Sequence, residues 1–238
     1  MTTIIIPAHN ERNNLKTLLP RLTAFRKAHE IEIIVVFSSD NSDGSEELAS
    51  EHGVKSVQCK ERGRAVQMNS GAALAKGGIL AFLHADVKPP DDFIINMVQT
   101  IDEGHDAGFF SYRFDKKSFF LQLNAAFTAK DGIFTGGGDQ CLFIKKEVFH
   151  ALGGFDEEQV LMEDFEFFER MKQQGLRYTI VKNDLIVSAR KYRNNSYVRI
   201  NLANFLLVVL FKFGYPAKKL KSLHDRLIKM PYQHNHQN

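Results

Sequence analysis

Cysteine is scarce in this chain. Cys59 and Cys141 are the two in 238 residues. They are too few and too far apart for a disulfide framework, which points to a reducing compartment. Cys141 lies in Gln140-Cys141-Leu142-Phe143-Ile144 and reads as a buried core residue. Charge of one sign is lacking too. Thirty-one Lys and Arg face 28 acids, for a net charge of +3. That excess is small and not clustered enough to suggest nucleic acid, and zinc-finger spacing and an RNP-like strand are missing. No uninterrupted apolar run approaches the roughly 20 residues of a membrane span. The N-terminus enters a strand at once, with no basic region, apolar core or cleavage site, so the expectation is no signal peptide and a cytoplasmic location. Internal repeats and linkers rich in Gly, Ser or Pro are absent, and the length suits one large core.

Missing motifs narrow the chemistry further. There is no Walker A sequence, and no Gly-x-Gly-x-x-Gly follows the first apolar run, so a dinucleotide site has little support. Gly-x-Ser-x-Gly is absent, which argues against an α/β-hydrolase serine. His-Glu-x-x-His is absent, which argues against a metalloprotease.

What the first hundred residues do contain is alternation. Thr3–Ile6, Ile31–Phe37, Val54–Cys59 and Ile79–Leu83 are apolar, β-rich runs. Between them, Leu15, Leu18, Leu19, Leu22 and Phe25 repeat at helical spacing, and Arg64–Ala75 reads as a second helix stopped by Lys76-Gly77-Gly78. Asn10 is placed to cap the first helix. Asp43 with Glu46 matches a capping box for another, reaching about His52. Pro89-Pro90-Asp91-Asp92 starts a helix to about Ile101. Near-continuous apolar strands between amphipathic helices predict an α/β fold with a mostly parallel sheet covered on both faces.

After residue 105 the pattern is less regular. Ala107–Phe114 is strand-like and Phe119–Ala129 helical. Gly136-Gly137-Gly138 breaks the chain before a strand at Gln140–Ile144, and Val148–Leu152 is a short helix. Glu163–Gln174 reads as a helix, Tyr178–Val181 and Leu185–Ser188 as two short strands, and Val198–Phe213 as an apolar C-terminal helix. That last helix is expected to pack in the chain, in a dimer or on a membrane surface, with Arg199, Lys212 and Lys218–Lys221 beside it. Residues 233–238 read as a polar, disordered tail.

Three places could carry chemistry. Asp86 ends His84-Ala85-Asp86 just past a buried strand, where a carboxylate needs a partner. Lys88 could supply one; a divalent cation with water and phosphate oxygens is the alternative. Asp164, after Glu163, opens an amphipathic helix, either as an acid favoured by the helix dipole or as a general base. Arg64 sits in a first helical turn, unfavourable for the dipole unless an anion arrives there.

The ordered set Ile4-Ile5-Ile6-Pro7-Ala8-His9-Asn10-Glu11, Gly63-Arg64-Ala65-Val66-Gln67-Met68-Asn69-Ser70-Gly71-Ala72, Phe82-Leu83-His84-Ala85-Asp86, Gly138-Asp139-Gln140, Leu152-Gly153-Gly154-Phe155, Leu161-Met162-Glu163-Asp164 and Ser188-Ala189-Arg190 resembles the family 2 glycosyltransferases with the GT-A fold. Within them it looks most like a small bacterial subgroup associated with radical-SAM and selenium-related genes. The resemblance implies an inverting hexosyltransferase-like enzyme using a nucleoside-diphosphate-sugar, UDP-sugar favoured, and Mn²⁺ or Mg²⁺. It implies that Pro7, Ala8, Glu11, Ser39, Asp40, Arg64, His84 and Ala85 line the nucleotide, and that Asp86 holds the metal. It places Gly138, Asp139, Gln140 and Arg190 near donor and acceptor, and makes Asp164, with Glu163, the catalytic pair. It divides the chain into a nucleotide-binding half (1–104), an acceptor half (105–195), C-terminal helices (196–230) and a tail (231–238).

Two positions depart from the family pattern. His84 stands where relatives usually carry the first Asp of Asp-x-Asp. Aligning Asp43-Gly44 puts Ser38 or Ser39 where relatives bind the base with an Asp, with Asp40 displaced by one or two residues. A hydroxyl there lacks the carboxylate's charge. The rival readings are therefore a catalytically silent nucleotide-binding or scaffold protein of the same fold, and a nucleotidyltransferase, whose Gly-rich basic signature Pro7–Glu11 lacks. The acceptor, a small metabolite or a lipid, stays open.

Overall fold

The computed structural model describes residues 1–116, 130–132, 135–192 and 196–228. The helix expected at Phe119–Ala129 and the tail at 233–238 lie outside the described residues. The elements run β1 (Thr2–Ala8), α1 (Arg12–Phe25), β2 (Ile31–Phe37), α2 (Ser45–Glu51), β3 (Lys55–Gln58), α3 (Arg64–Leu74), β4 (Ile79–Phe82), β5 (Val87–Lys88), α4 (Phe93–Asp102) and β6 (Ala107–Phe114). They continue with a 3₁₀ turn (Gly138–Gln140), β7 (Phe143–Lys145), α5 (Lys146–Ala151), α6 (Glu163–Gln173), β8 (Tyr178–Val187), a second 3₁₀ turn (Ala189–Tyr192), α7 (Tyr197–Lys212) and α8 (Ala217–Leu227).

The strands form one sheet in the order β3-β2-β1-β4-β7-β6-β8-β5. Its first half is parallel, as the alternation requires: β1 pairs with β2 and β4, and β2 with β3, in the same direction. The second half is not. β7 runs antiparallel to both β4 and β6, and β5 antiparallel to β8, while β6 and β8 are parallel. The sheet is mixed, which corrects the expectation of a mostly parallel one. Only residues 83–86 separate β4 from β5, too few for a parallel crossover between neighbouring strands, and the two do not pair; β5 pairs with β8 instead. Apolar patterning marks a buried strand but not its direction.

Strand alternation sorts the core into two layers. Ile4, Ile6 and Ala8 face one cluster with Leu15, Leu18, Leu19 and Leu22 of α1. Ile5 faces the other, with Ala65, Met68 and Ala72 of α3, Phe149 of α5 and Phe167 of α6. Helices therefore cover both faces of the sheet. Close approach of α3 depends on Gly71. A Cβ there would lie 2.4 Å from Ile5 Cγ2 and 3.1 Å from Val36 Cγ2. Gly71→Ala is expected to destabilise by about 1–3 kcal/mol through overpacking, lowering the melting temperature by about 2–4 °C per kcal/mol; a thermal melt checks it.

Three local expectations are corrected. Tyr178–Val187 is a single strand. The polar triplet Lys182-Asn183-Asp184 suggested a break, but it is absorbed by a register shift opposite Phe110–Tyr112, and Asp184 accepts the Ser111 hydroxyl at 2.5 Å. Asn10 does not cap α1, and Asp43 with Glu46 forms no capping box: α2 starts after Gly44 with no side-chain cap. The C-terminal stretch holds two helices, the 16-residue α7, which covers the run expected at Val198–Phe213, and the amphipathic α8. Among the described residues no helix is long and apolar enough to cross a membrane.

Candidate active site

The carboxyl ends of β2, β1 and β4 lie side by side. Helix α1 leaves β1 for one face of the sheet, and α3 enters β4 from the other. This is a switch point of the kind that opens a crevice beyond the strand ends. Pro7 and Ala8 belong to β1 and are buried. The cleft-facing groups at this end begin with His9 and Glu11.

Two loops at this edge hold each other. Asn10 N–H donates to Asn41 Oδ1 at 2.8 Å, and Ser42 N–H donates back to Asn10 Oδ1 at 2.9 Å. Arg12 N–H donates to Asp43 Oδ2 at 2.7 Å. The Asn10 side chain is thus spent on clasping the β1–α1 loop to the β2–α2 loop, whereas Asp43 divides its carboxylate, Oδ2 on Arg12 N–H and Oδ1 on Ser45 N–H at 3.1 Å at the start of α2, and Glu46 does not complete a box with it. Underneath, the buried Gln67 amide donates to Ala8 O at 2.9 Å and Val36 O at 2.7 Å. A single side chain so ties together the ends of β1 and β2, where Ala8 O also accepts Ser38 N–H at 3.0 Å.

Ser38 is buried, and its hydroxyl shares a 2.6 Å hydrogen bond with His9 Nδ1. Asp40 lies 2.8 Å from Arg62 and 3.6 Å from His9. Burial opposes ionisation of Asp40, but the Ser38 hydrogen bond and the His9 and Arg62 charges hold its carboxyl below the usual value. The altered loop therefore still presents a carboxylate, anchored on two sides.

Asp86 does have a basic partner, but it is Arg190, not the nearby Lys88. Arg190 Nη2 is 3.0 Å from Asp86 Oδ2. The same guanidinium grips Glu11 with two bonds of 3.1 and 2.8 Å. Arg190 lies just past β8 and Glu11 just past β1, 179 residues apart in sequence. The bidentate pair closes the cleft between the two halves of the sheet.

The second cluster gathers at the N-terminus of α6. Arg64 Nε donates to Glu163 Oε1, and Arg64 Nη2 lies 3.4 Å from Asp164 Oδ2. Arg64 Nη1 is 3.4 Å from His84 Nε2, and His84 Nδ1 is 3.5 Å from Asp139 Oδ1. The anion facing Arg64 is thus the protein's own acidic pair. Burial works against the guanidinium charge, but Glu163 and Asp164 more than offset it and raise its pKa. Asp164 moves the other way. Burial pushes its carboxyl up to about 6, with Glu163 and Asp139 adding to the effect and Arg64 and His84 opposing it. Its side chain keeps 11% of its surface open to the cleft.

Gly138 seals this cluster. A Cβ on it would stand 2.4 Å from His84 Cε1 and 2.5 Å from Asp164 Oδ2. Gly138→Ala is expected to displace both side chains while leaving the two core layers intact. Turnover should fall steeply, by about 100-fold for a misplacement of about 1 Å, with little change in the thermal melt. Gln140 in the same turn is buried and accepts Gly136 N–H at 3.0 Å, which fixes the glycine loop.

The non-glycine residues with positive φ among those described are Asn10 (52°), Cys141 (50°) and Met162 (69°). Each flanks a cleft segment: Asn10 precedes Glu11, Cys141 follows Gln140, and Met162 precedes Glu163. Such conformations persist where the surroundings enforce them, often at functional sites. Burial also raises the pKa of the Cys141 thiol, in keeping with a core cysteine. The sequence reading missed His9, Gln67 and Arg62. Gln67 carried a signal, as a polar residue on the apolar face of α3; His9 and Arg62 carried none.

A glycosyl transferase family 2 model matches residues 3–152, more than half the chain and all of the cleft up to the 3₁₀ turn. The chain belongs to glycosyl transferase family 2. Among its relatives is a dolichol-phosphate mannosyltransferase of Pyrococcus furiosus, 32% identical over 108 residues, which span 43% of this chain and 30% of that protein. The chain thus matches about a third of the length of such relatives. The mannosyltransferase PcManGT of Pyrobaculum calidifontis, solved with GDP-Man and Mn²⁺, superposes with a TM-score of 0.67 at 22% identity, over 95% of this chain and 69% of that one. Glucosyl-3-phosphoglycerate synthase of Mycobacterium tuberculosis, solved with Mn²⁺, UDP and glucosyl-3-phosphoglycerate, superposes with a TM-score of 0.61 at 17% identity, over 91% and 81%. These two likenesses bear on the fold.

The donor set at the cleft is suited to a divalent cation held by few protein ligands. Among the described residues no three His, Cys, Asp or Glu gather to enclose an ion. Asp86 offers a single carboxylate at the cleft. Mg²⁺ and Mn²⁺ suit that arrangement, because they take one or two carboxylates and fill the shell with water and phosphate oxygens.

Proposed function

We propose that this family 2 chain is an inverting glycosyltransferase that moves a sugar from a nucleoside-diphosphate-sugar, UDP-sugar favoured, to an acceptor hydroxyl. The observation that carries this is Asp164, a largely buried carboxylate at a helix N-terminus, with its carboxyl pushed up to about 6. A carboxylate of that kind is ionised at neutral pH yet basic enough to accept a proton in a transition state. Asp164 takes the acceptor's proton, and the acceptor oxygen bonds to the anomeric carbon as the bond to the diphosphate breaks. One displacement inverts that centre.

Arg64 positions Asp164 and is itself fixed by the buried Glu163. Arg190 is the cation between Glu11 and Asp86, placed to meet the leaving diphosphate. Asp86 would hold Mn²⁺ or Mg²⁺, and such an ion supplies charge neutralisation to the diphosphate when bound. The His9–Ser38–Asp40–Arg62 group stands where the base would rest, and Gly138, Asp139 and Gln140 near donor sugar and acceptor. The division into a nucleotide half to residue 104 and an acceptor half after it follows from these roles. Kinship with the radical-SAM and selenium-associated subgroup is part of the same proposal and rests on the ordered motif runs taken together.

The test is release of nucleoside diphosphate from UDP-, GDP- and dTDP-sugars with Mn²⁺, water serving as acceptor, alongside calorimetric binding of each nucleotide. One donor is expected to bind and to turn over slowly. Binding without turnover, or no binding at millimolar concentration, would favour the silent scaffold.

A further inference from the structure

The last two helices present a surface that the transferase reading leaves unused. Helix α7 buries Ile200, Ala203, Leu207 and Val208 against the rest of the chain. Its first residue, Tyr197, stacks on Tyr192 with ring centroids 5.8 Å apart, so the helix is docked onto the fold. An ordinary surface helix is polar on the opposite side. Here that side is apolar throughout. Val198, Leu202, Phe205, Leu206 and Phe213 recur at helical spacing and are exposed, Leu202 at 63% and Phe213 at 85%. Tyr215 continues the stripe beyond the helix end. Contiguous exposed apolar stripes on soluble chains mark interaction surfaces.

Charge distinguishes among occupants. Residues 196–228 hold Arg199, Lys212, Lys218, Lys219, Lys221 and Arg226 against the single acid Asp225. This stretch therefore carries a net +5, whereas the whole chain carries +3. Arg199 and Lys212 edge the stripe near the two ends of α7. Lys218 and Lys219 are exposed at the start of α8, the Lys219 ammonium 5.9 Å from the Tyr215 ring centre. A second copy on a two-fold axis would set this basic rim against its own image, whereas anionic lipid headgroups complement it. The 16 residues of α7 would extend only about 24 Å as a helix, short of a bilayer core of about 30 Å.

We propose that α7 and the start of α8 dock on an anionic bilayer surface. The apolar stripe lies among the upper acyl chains, with Lys212, Lys218 and Lys219 at the headgroups. The inference is independent of donor and acceptor, because it reads binding and not transfer.

The chain contains no tryptophan, so Phe213→Trp introduces a lone indole reporter on the stripe. With vesicles of phosphatidylcholine and equimolar phosphatidylglycerol, its emission is expected to shift to the blue and the protein to sediment with the lipid. Phosphatidylcholine alone should give neither, and high salt should weaken both. Leu202→Glu/Phe205→Glu, in the same background, should lower vesicle partitioning at least about ten-fold. Lys218→Glu/Lys219→Glu, which leaves the apolar packing alone, should do so by about as much. Circular dichroism and a thermal melt confirm that each variant folds. Unshifted emission with anionic vesicles, or undiminished binding by the lysine variant, would overturn the proposal. So would a lipid-free dimer that Leu202→Glu/Phe205→Glu splits, which would give the stripe to a second copy.

Discussion

Asp164→Asn is expected to reduce donor turnover by about 10²–10⁴-fold while making the folded chain more stable at neutral pH. Both effects come from one carboxylate. Asn has similar volume and keeps a polar group beside Arg64, which remains held by Glu163. Nucleotide binding should therefore persist, and a loss confined to turnover is what a base predicts. The stability effect follows from linkage. The folded carboxyl is pushed up to about 6 against a model value of 3.8. Between those values the folded chain binds more protons than the unfolded one, so this group's contribution to stability rises as pH falls through about 6. Above that pH the buried charge is a standing cost, which Asn lacks. The variant should melt higher than the parent at alkaline pH, by about 2–4 °C for each kcal/mol relieved, and the gap should close as pH falls through about 6. Turnover of the parent should drop over the same range, as Asp164 gains its proton. Wild-type turnover in the variant would remove Asp164 from the base role. Loss of nucleotide binding along with turnover would make its role structural.

The first half of the fold was legible because its strands are continuous apolar runs and its helices carry one apolar face. Those periodicities follow from backbone geometry and hold for any fold of this class. Partner direction is not written in a single strand's pattern, so the antiparallel placement of β7 and β5 was out of reach. Local polar signals misled in another way. Asn10 and Asp43 have the chemistry of helix caps, but the Asn10 side chain accepts Ser42 N–H 32 residues away, and Asp43 shares its carboxylate between Arg12 N–H, 31 residues away, and Ser45 N–H. The pairings that assemble the cleft are more distant still. Arg64 meets Glu163 across 99 residues and Glu11 meets Arg190 across 179. Charge on a side chain says that a partner is needed, and only the fold says which one. Asp86 shows this well: Lys88 is two residues away, but Arg190 reaches it.

Asp86→Ala is expected to remove the metal dependence of nucleotide binding without unfolding the chain. Arg190 keeps its bidentate grip on Glu11 when Asp86 is lost, so the join between the β1 and β8 ends should survive. Changing partners that only orient a metal ligand costs about 10–100-fold in affinity. Loss of the Asp86 carboxylate proposed to hold the ion should cost at least about 100-fold in Mn²⁺-supported binding of the preferred nucleoside diphosphate. Metal-free binding should move the opposite way or stay level, because a negative charge is gone from the cleft and the Arg190 guanidinium has one fewer acceptor competing with the diphosphate. Calorimetric titrations with and without Mn²⁺, on parent and variant, read both terms. Opposite signs in the two titrations would place the ion at Asp86. A parallel fall in both would instead mean that Asp86 acts by holding Arg190, and an unchanged Mn²⁺ response would move the cation elsewhere in the cleft.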